Sequence, residues 1–538
     1  MQDTTTSLLS SARRFFSGTL ISRVTGLGRE VAMAALFGTT PAVAAFWMAY
    51  RFAHLFRRLL GEEALNSAFI PHFESLRAQD PKRAIKFFWI LLSKITTFLL
   101  CFTLFAEITL GSFLLFVHFS PNTIAIIRLT MIFFPALLFL TLYALNTSFL
   151  QCHQTFFLPS VAPAIVNLFW IVASLYFAHL VPEKALEKVA MVLVFAFACQ
   201  WIVTLPRTIG FLKEGENVNW LNDTKERIWP LLKPALIVMI GIGATQINVA
   251  LDALFARAAD PEGPAILWYA IRLQQLPLAL IGISLSGALL PPLTRAFQGR
   301  DYQQANYFLN LIVKKIGTYL IPVTIGSLVM GASIVNLIYG RGQFGENSIV
   351  KTTTCFWAYI LGLVPMTLIL CFSQIFYAQK KPKIPTYLSL FTIGTNLGLN
   401  TFFVFGLKWG TVSVAIATTI SSSLNALFLT IFLKKTSLQV DISFWKNLGF
   451  SMVAGGATLI LSAFVLENHT PCLILHIPFH SLAKTLGKQL EILGIEGGIF
   501  LGIYLALRKV FMRESFTLRT IAADEKHHEN KTQTHADV

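Results

Sequence analysis

The chain has 538 residues, 55% of them hydrophobic and only 13% charged, with a mean hydropathy of +0.63. A soluble domain carries nearly twice that charged fraction, which excludes an ordinary water-soluble globular protein. A net charge of +16 would suit nucleic acid, but the basic residues are spread between apolar runs rather than gathered into a patch, which excludes that partner.

Apolar runs of about 20 residues, each enough to cross ~30 Å of hydrocarbon, recur along the whole chain. In order they predict fourteen transmembrane helices, at 17–38, 42–65, 86–117, 124–150, 158–181, 189–211, 230–256, 264–290, 308–338, 352–379, 385–405, 410–433, 446–466 and 491–512. The alternating ten-residue segments of a β-barrel are not the pattern here, so the expected fold is an all-α polytopic membrane protein. With a cytoplasmic N-terminus, the cytoplasmic segments hold the majority of the 43 Lys and Arg. That bias places both termini inside and adds attraction to anionic headgroups.

The first run does not read as a cleavable signal. Arg13 and Arg14 could open one, but Arg23 interrupts the apolar stretch and no small-residue cleavage site follows. The longest loops, 212–229 and 467–490, are too short for a folded extramembrane domain, and the polar tail 519–538 is expected to be disordered. The six cysteines are scattered, and Pro478 separates His476 from His480. With His527 and His528 in the tail, no metal centre is expected, and the cysteines read as small core residues.

A long repeat is also legible. "VAMAALF" (31–37) aligns with "VALDALF" (249–255), "FWMAYRF" (46–52) with "LWYAIRL" (267–273), and "SAFIP" (67–71) with "GALLP" (287–291). Six spans separate the copies, and an even offset preserves orientation. The expectation is therefore two parallel six-helix halves, 1–211 and 230–433, around a central cavity, with two additional helices in 446–512. Arg51 of one half aligns with Arg272 of the other, so both should face that cavity.

Charges inside spans are rare, costly and usually turned toward a protein interior. The first span holds Arg23, Arg29 and Glu30, and the second holds Arg51, His54, Arg57, Arg58 and Glu62. The seventh holds Asp252 and the eighth Arg272. At 100° per residue, Arg51, His54, Arg58 and Glu62 share a stripe, as do Arg23 and Glu30. Snorkelling is the blander reading for Arg57 and Arg58, near the end of their span. Gly26 and Gly28 predict a bend or a close approach to a neighbour. Arginine's planar fork stays charged and binds phosphate bidentately, so an arginine-rich cavity predicts an anionic substrate, best a phosphate or pyrophosphate.

"SRVTGLGRE" and "FRRLLGEEALNSAFIP" (56–71), with "QINVALDALFA", "WYAIRLQQLPLALIGISLSGALLPPL", "IYGRGQF" and "FYAQKKPKIP", resemble the MviN/MurJ family of lipid II flippases, within the superfamily of multidrug and oligosaccharidyl-lipid exporters. The resemblance covers nearly the whole chain. It implies transport of an undecaprenyl-pyrophosphate-linked disaccharide-pentapeptide across the bacterial cytoplasmic membrane by alternating access. It also implies essential roles for Arg23, Arg29, Arg57 and Arg272, an important one for Glu62, and a groove for the lipid tail in the last two helices. Lipid II, membrane lipids and the cell-wall synthesis machinery are the partners it implies, for a monomeric protein without a cofactor. Membrane-potential or monovalent-ion coupling would drive it, with Glu30 and Asp252 as coupling or salt-bridge residues. The chain departs from the family at Ala44 and Ile271, where acids are usual, at Glu30, where Asp is usual, and at "FAH" (52–54) in place of "LPN".

The sequence leaves three rivals: a related exporter of another polyprenyl-linked oligosaccharide or a small organic ion, a membrane transferase, and an anion channel. The loops offer the transferase no DxD, HxxxD or P-loop pattern; "GRGQFG" (340–345) is glycine-rich but lacks the rest of one.

Overall fold

The computed structural model describes residues 5–57, 63–213, 246–379, 381–434, 445–465 and 485–512. Within them the chain is helical. The N-terminal set comprises α1 (Thr5–Phe37), α2 (Pro41–Arg57), α3 (Glu63–Gln79), α4 (Pro81–Phe116), α5 (Pro121–Phe133), α6 (Ala136–Cys152), α7 (Phe157–Val161), α8 (Pro163–Phe177) and α9 (Pro182–Lys213). The C-terminal set begins with α10 (246–259) and continues through α11 (Gly263–Pro277), α12 (Ser284–Gln298), α13 (Tyr302–Val329), α14 (Gly331–Tyr339), α15 (Glu346–Leu361) and α16 (Leu363–Ala378). It ends with α17 (Lys383–Thr401), α18 (Val412–Lys434), α19 (Trp445–Val465) and α20 (Leu486–Met512).

Ten helical stretches among the described residues are long and apolar enough to cross a membrane. The other four expected spans, 17–38, 42–65, 230–256 and 446–466, are helical over what is described of them but are not among those ten. The first carries three charges in its apolar half, and the second is only a 17-residue helix as described. Large apolar side chains on α4, among them Leu104, Phe105, Leu115 and Phe116, face outward, as suits a helix surrounded by hydrocarbon.

Local chemistry sets the boundaries. Asp80 caps α4 by accepting from the Lys82 amide at 2.9 Å, with Pro81 at the first helical position. Ser120 and Pro121 do the same for α5, and Asp301 caps α13. Several expected single spans are broken within their length. The fourth breaks at Phe134–Pro135, the ninth at Met330 and the tenth at Gly362, while the eighth widens into a π turn over Leu278–Ile283 after Pro277. Proline explains the first and last, because it removes an amide donor from the ladder.

One expectation is corrected. α1 runs as an unbroken helix through Gly26 and Gly28, and a Cβ at either would meet only ordinary van der Waals neighbours. The glycine that the packing requires is Gly18, where a Cβ would overlap the Ser160 hydroxyl of α7.

α1 packs on α8, α2 on α5, and α6 and α8 on α9; in the C-terminal set α11 packs on α15, α18 on α16 and α17, and α19 on α13 and α20. The two sets meet through α2 against α11 and α1 against α14. Their shared core is aromatic. Trp47 and Trp170 are fully buried, and Trp47 stacks on Trp268 with centroids 4.1 Å apart at 15°.

At one end the sets are locked together. The Gln343 amide donates to Ala35 O at 2.8 Å, and Thr39 Oγ1 meets Ser348 Oγ at 2.8 Å and donates to Glu262 at 3.2 Å. Lys351 Nζ lies 2.8 Å from Asp260 and 3.6 Å from Glu262. Gly38 and Gly342 both have left-handed backbones (φ 62° and 56°), and a Cβ on either would overlap the facing backbone of the lock, at Gln343 O or Ala35 O. Gly342→Ala is therefore expected to destabilise the protein by more than the ~1–2 kcal/mol of a left-handed alanine. A lower thermal midpoint in detergent is the readout, and an unchanged midpoint would show that the lock contributes nothing.

Candidate functional site

A cavity of about 440 Å³ lies between the two helix sets, on the side of the Trp47–Trp268 stack away from the locked loops. Its lining includes Ser22, Gly26 and Arg29 of α1, Tyr50, Arg51 and His54 of α2, Asn167 of α8, Asp252 of α10, and Trp268 and Arg272 of α11. These helices expose the site where they do because their apolar faces are consumed by the core above it. Phe46, Trp47 and Tyr50 of α2 pack within 6 Å of Trp170, which turns Arg51 toward the open side.

Glu30 is the hub. Only 4% exposed, it accepts from Arg29 Nη2 at 2.5 Å and from the Trp268 indole N–H at 2.9 Å, and Arg272 Nε stands 3.6 Å away. Burying a carboxylate is tolerable only with such compensation. Arg29 is fixed further by donating to Asn167 Oδ1 at 3.1 Å and by lying over the Trp170 ring at 4.4 Å. Asn167 is itself oriented by donating to Ser22 O at 3.0 Å and Thr25 Oγ1 at 3.1 Å. Arg272 donates to Gln275 and sits over Trp268 at 4.2 Å.

Arg51 lies over the same Trp268 ring at 5.1 Å. Among the described residues no carboxylate forms an ion pair with it within 4 Å, although Asp252 across the cavity attracts it, and the buried Nε–H groups of Arg29 and Arg272 find no hydrogen-bond acceptor. Three guanidiniums from three helices thus converge on one cavity. That arrangement can bind a multivalent anion through charge-assisted bonds.

Asp252 occupies the other side of the cavity. It accepts from Asn400 Nδ2 at 2.8 Å and Thr418 Oγ1 at 3.3 Å, and Asn400 also donates to Asn396 at 2.9 Å. Neutral donors hold this carboxylate, so its charge is not cancelled by a bonded cation.

The sequence-predicted residues divide accordingly. Arg29, Glu30, Arg51, Asp252 and Arg272 come together at the cavity, and His54 lines it with its ring 3.9 Å from that of Tyr50 and tilted by 49°. Arg23 is exposed and stands apart from that lining. The side chains of Arg57, Arg58 and Glu62 lie outside the described residues. Of the departures from the family pattern, Ala44 is buried in the core and Ile271 puts an apolar side chain on the cavity wall.

Sequence reasoning missed Asn167, Trp268, Asn400 and Thr418. The repeat carried one usable signal, because Trp47 and Trp268 are aligned in it just as Arg51 and Arg272 are.

Comparison with known proteins adds a family to this geometry. A family model described as "Lipid II flippase MurJ" matches residues 33–479. A "Probable lipid II flippase MurJ" of Chlamydia muridarum (strain MoPn / Nigg) is 31% identical over 517 residues, covering 94% of this chain and 95% of the relative. A "Lipid II flippase MurJ" of Burkholderia cenocepacia is 26% identical over 461 residues, with 83% and 87% covered. Among solved structures, "Lipid II flippase MurJ, inward closed conformation" superposes with a TM-score of 0.74 at 22% identity, covering 93% of this chain and 98% of that one. An inward-facing multidrug resistance MATE transporter superposes with a TM-score of 0.60 at 15% identity, covering 79% and 99%. Both structural likenesses concern the fold alone.

Proposed function

Because the chain belongs to the MurJ lipid II flippase family, a family of transporters rather than enzymes, we propose that it moves lipid II from the inner to the outer leaflet of the bacterial cytoplasmic membrane, with Arg29, Arg51 and Arg272 binding the pyrophosphate. The observation that carries this reading is the convergence of those three guanidiniums on one cavity around a single hub carboxylate. A pyrophosphate cannot enter hydrocarbon with its charge uncompensated; the arginines replace its hydration with charge-assisted bonds. The lipid tail stays in the bilayer, along a groove formed by 446–512, while the head passes.

With both termini cytoplasmic, the locked loops at Gly38 and Gly342 face outward and the cavity serves the inner leaflet. Transport then requires the lock to open as the two six-helix halves, 1–211 and 230–433, rock against each other. Arg23 lies outside the cavity lining, and Arg57, Arg58 and Glu62 stay candidates for substrate binding on their residue type and place in the sequence. Outward movement of each net negative charge gains up to ~2.3 kcal/mol per 100 mV with the cytoplasm negative, so the membrane potential biases export.

Ala44 and Ile271 leave no acid at two positions where the family usually has one. Asp252 remains as the carboxylate for monovalent-ion coupling. Asp252→Asn is expected to keep substrate binding, tightened by the loss of a negative charge from the cavity, and to abolish any dependence of transport on a monovalent-cation gradient; a variant that still follows the gradient would remove Asp252 from the coupling role. The function itself is tested by replacing a host's essential flippase with this protein and scoring lipid II on the outer leaflet. Growth with externally accessible lipid II is expected, and accumulation of lipid II inside would refute the assignment.

A further inference from the structure

Trp268 touches more of the site than any of its charged residues. Its indole N–H fixes Glu30 at 2.9 Å, its ring carries Arg272 at 4.2 Å and Arg51 at 5.1 Å, and Trp47 stacks parallel on it at 4.1 Å. Through Glu30 it also reaches Arg29. One neutral side chain therefore contacts, or acts one step from, every described arginine at the cavity.

Two guanidiniums over one ring stand no farther apart than the sum of those two distances, and with no anion present they repel each other. An indole face is the strongest aromatic partner for a cation. It holds the pair close without neutralising either charge, which a carboxylate in the same place would do. The indole N–H meanwhile holds Glu30 between Arg29 and Arg272. Preorganised cations of this kind need no rearrangement when the anion arrives.

The repeat sharpens the assignment. Trp47 and Trp268 are counterparts, yet Trp47 is fully buried while Trp268 lines the cavity. One copy backs the stack and the other presents it. Trp47 in turn is pinned against Trp170, the ring under Arg29, at 5.6 Å.

We infer that Trp268 is the positioning residue of the anion site, holding Arg272 and Arg51 on its ring and Glu30 on its N–H in the geometry that receives a diphosphate. The inference rests on the pyrophosphate reading for its ligand but not for its geometry, and two measurements on the full-length protein separate them. The first needs no substrate: phenylglyoxal modification of individual arginines, followed by peptide mass spectrometry. Trp268→Leu should accelerate modification of Arg272 and Arg51 several-fold, Trp268→Phe should not, and Arg207, over Phe211 elsewhere in the protein, should be indifferent to both. Unchanged rates in Trp268→Leu, or an equal rise at Arg207, would overturn the positioning role.

The second is binding of undecaprenyl pyrophosphate. Trp268→Leu should weaken it about tenfold and Trp268→Phe only a few-fold, in line with a lost cation–π contact. In an Arg272→Ala background, Trp268→Leu should add far less than it does alone, because it acts through that arginine. Fully multiplicative losses would overturn the inference. A wild-type protein that binds no diphosphate, with the modification rates as expected, would instead refute the pyrophosphate reading and leave the positioning role standing.

Discussion

Arg272→Ala is expected to abolish export of the lipid-linked precursor while the protein still inserts and accumulates at the wild-type level. Among the described residues Arg272 is the one cation that contacts both Glu30, through its Nε, and the Trp268 ring while lining the cavity. A hydrogen bond to a charged group contributes ~1.5–3 kcal/mol, and a bidentate arginine makes two. Its loss should weaken diphosphate binding by about two orders of magnitude or more, since every 1.4 kcal/mol is tenfold. Its half-exposed position on the cavity wall makes folding comparatively indifferent to the change. Arg272→Lys should recover only part of the function, because an ammonium cannot reproduce the planar fork. Leaflet accessibility of lipid II, set against membrane-fraction protein levels, is the measurement; full transport by Arg272→Ala would remove it from the site. Arg29→Ala should fail in the same way, with an added cost in stability because Arg29 also anchors Asn167 and covers Trp170.

Replacement of Glu30 should separate folding from transport. Glu30→Ala leaves Arg29 and Arg272 facing each other without a counter-charge, and breaking a buried ion pair in this way costs ~3–5 kcal/mol. Reduced protein yield and a lower thermal midpoint are expected. Glu30→Gln keeps an acceptor for the Trp268 N–H but removes the negative charge, so the cavity becomes more positive. That variant should fold, bind undecaprenyl pyrophosphate more tightly than wild type, and release it more slowly, giving lower export despite higher affinity. Weaker binding by Glu30→Gln would mean that Glu30 orients the arginines chiefly through its charge rather than competing with the substrate for them.

The residues that carry the site were legible in the sequence because charge inside an apolar run is rare, whatever the fold. Arg29, Arg51 and Arg272 needed no structure to be singled out, and the repeat already put Arg51 and Arg272 in register. Trp268 was invisible for the opposite reason. A chain with 10 Trp and 47 Phe offers aromatic residues everywhere, and only the stack on Trp47 distinguishes this one. Asn167 lies 138 residues from the arginine it holds, a separation no local pattern spans.

Arg23 shows the limit of helical-wheel reasoning. It shares an angular position with Glu30, but at 1.5 Å per residue it lies about 10 Å away along the axis, where the structure leaves it exposed. The locked end was equally hidden. "GRGQFG" is glycine-rich without being a phosphate loop, and one of its glycines, Gly342, is needed for close backbone approach to Ala35. Positive φ at Gly342 and Gly38 follows from which two loops meet, and that is a tertiary fact.

The most direct test of the arginine cavity is a comparison of ligands that differ only in charge. Purified protein should bind undecaprenyl pyrophosphate and discriminate against neutral undecaprenol, and Arg29→Gln, Arg51→Gln and Arg272→Gln combined should erase that discrimination while any tail-dependent binding persists. Equal affinity of the wild type for the two lipids, or full discrimination by the triple variant, would contradict the assignment of these three arginines to the pyrophosphate.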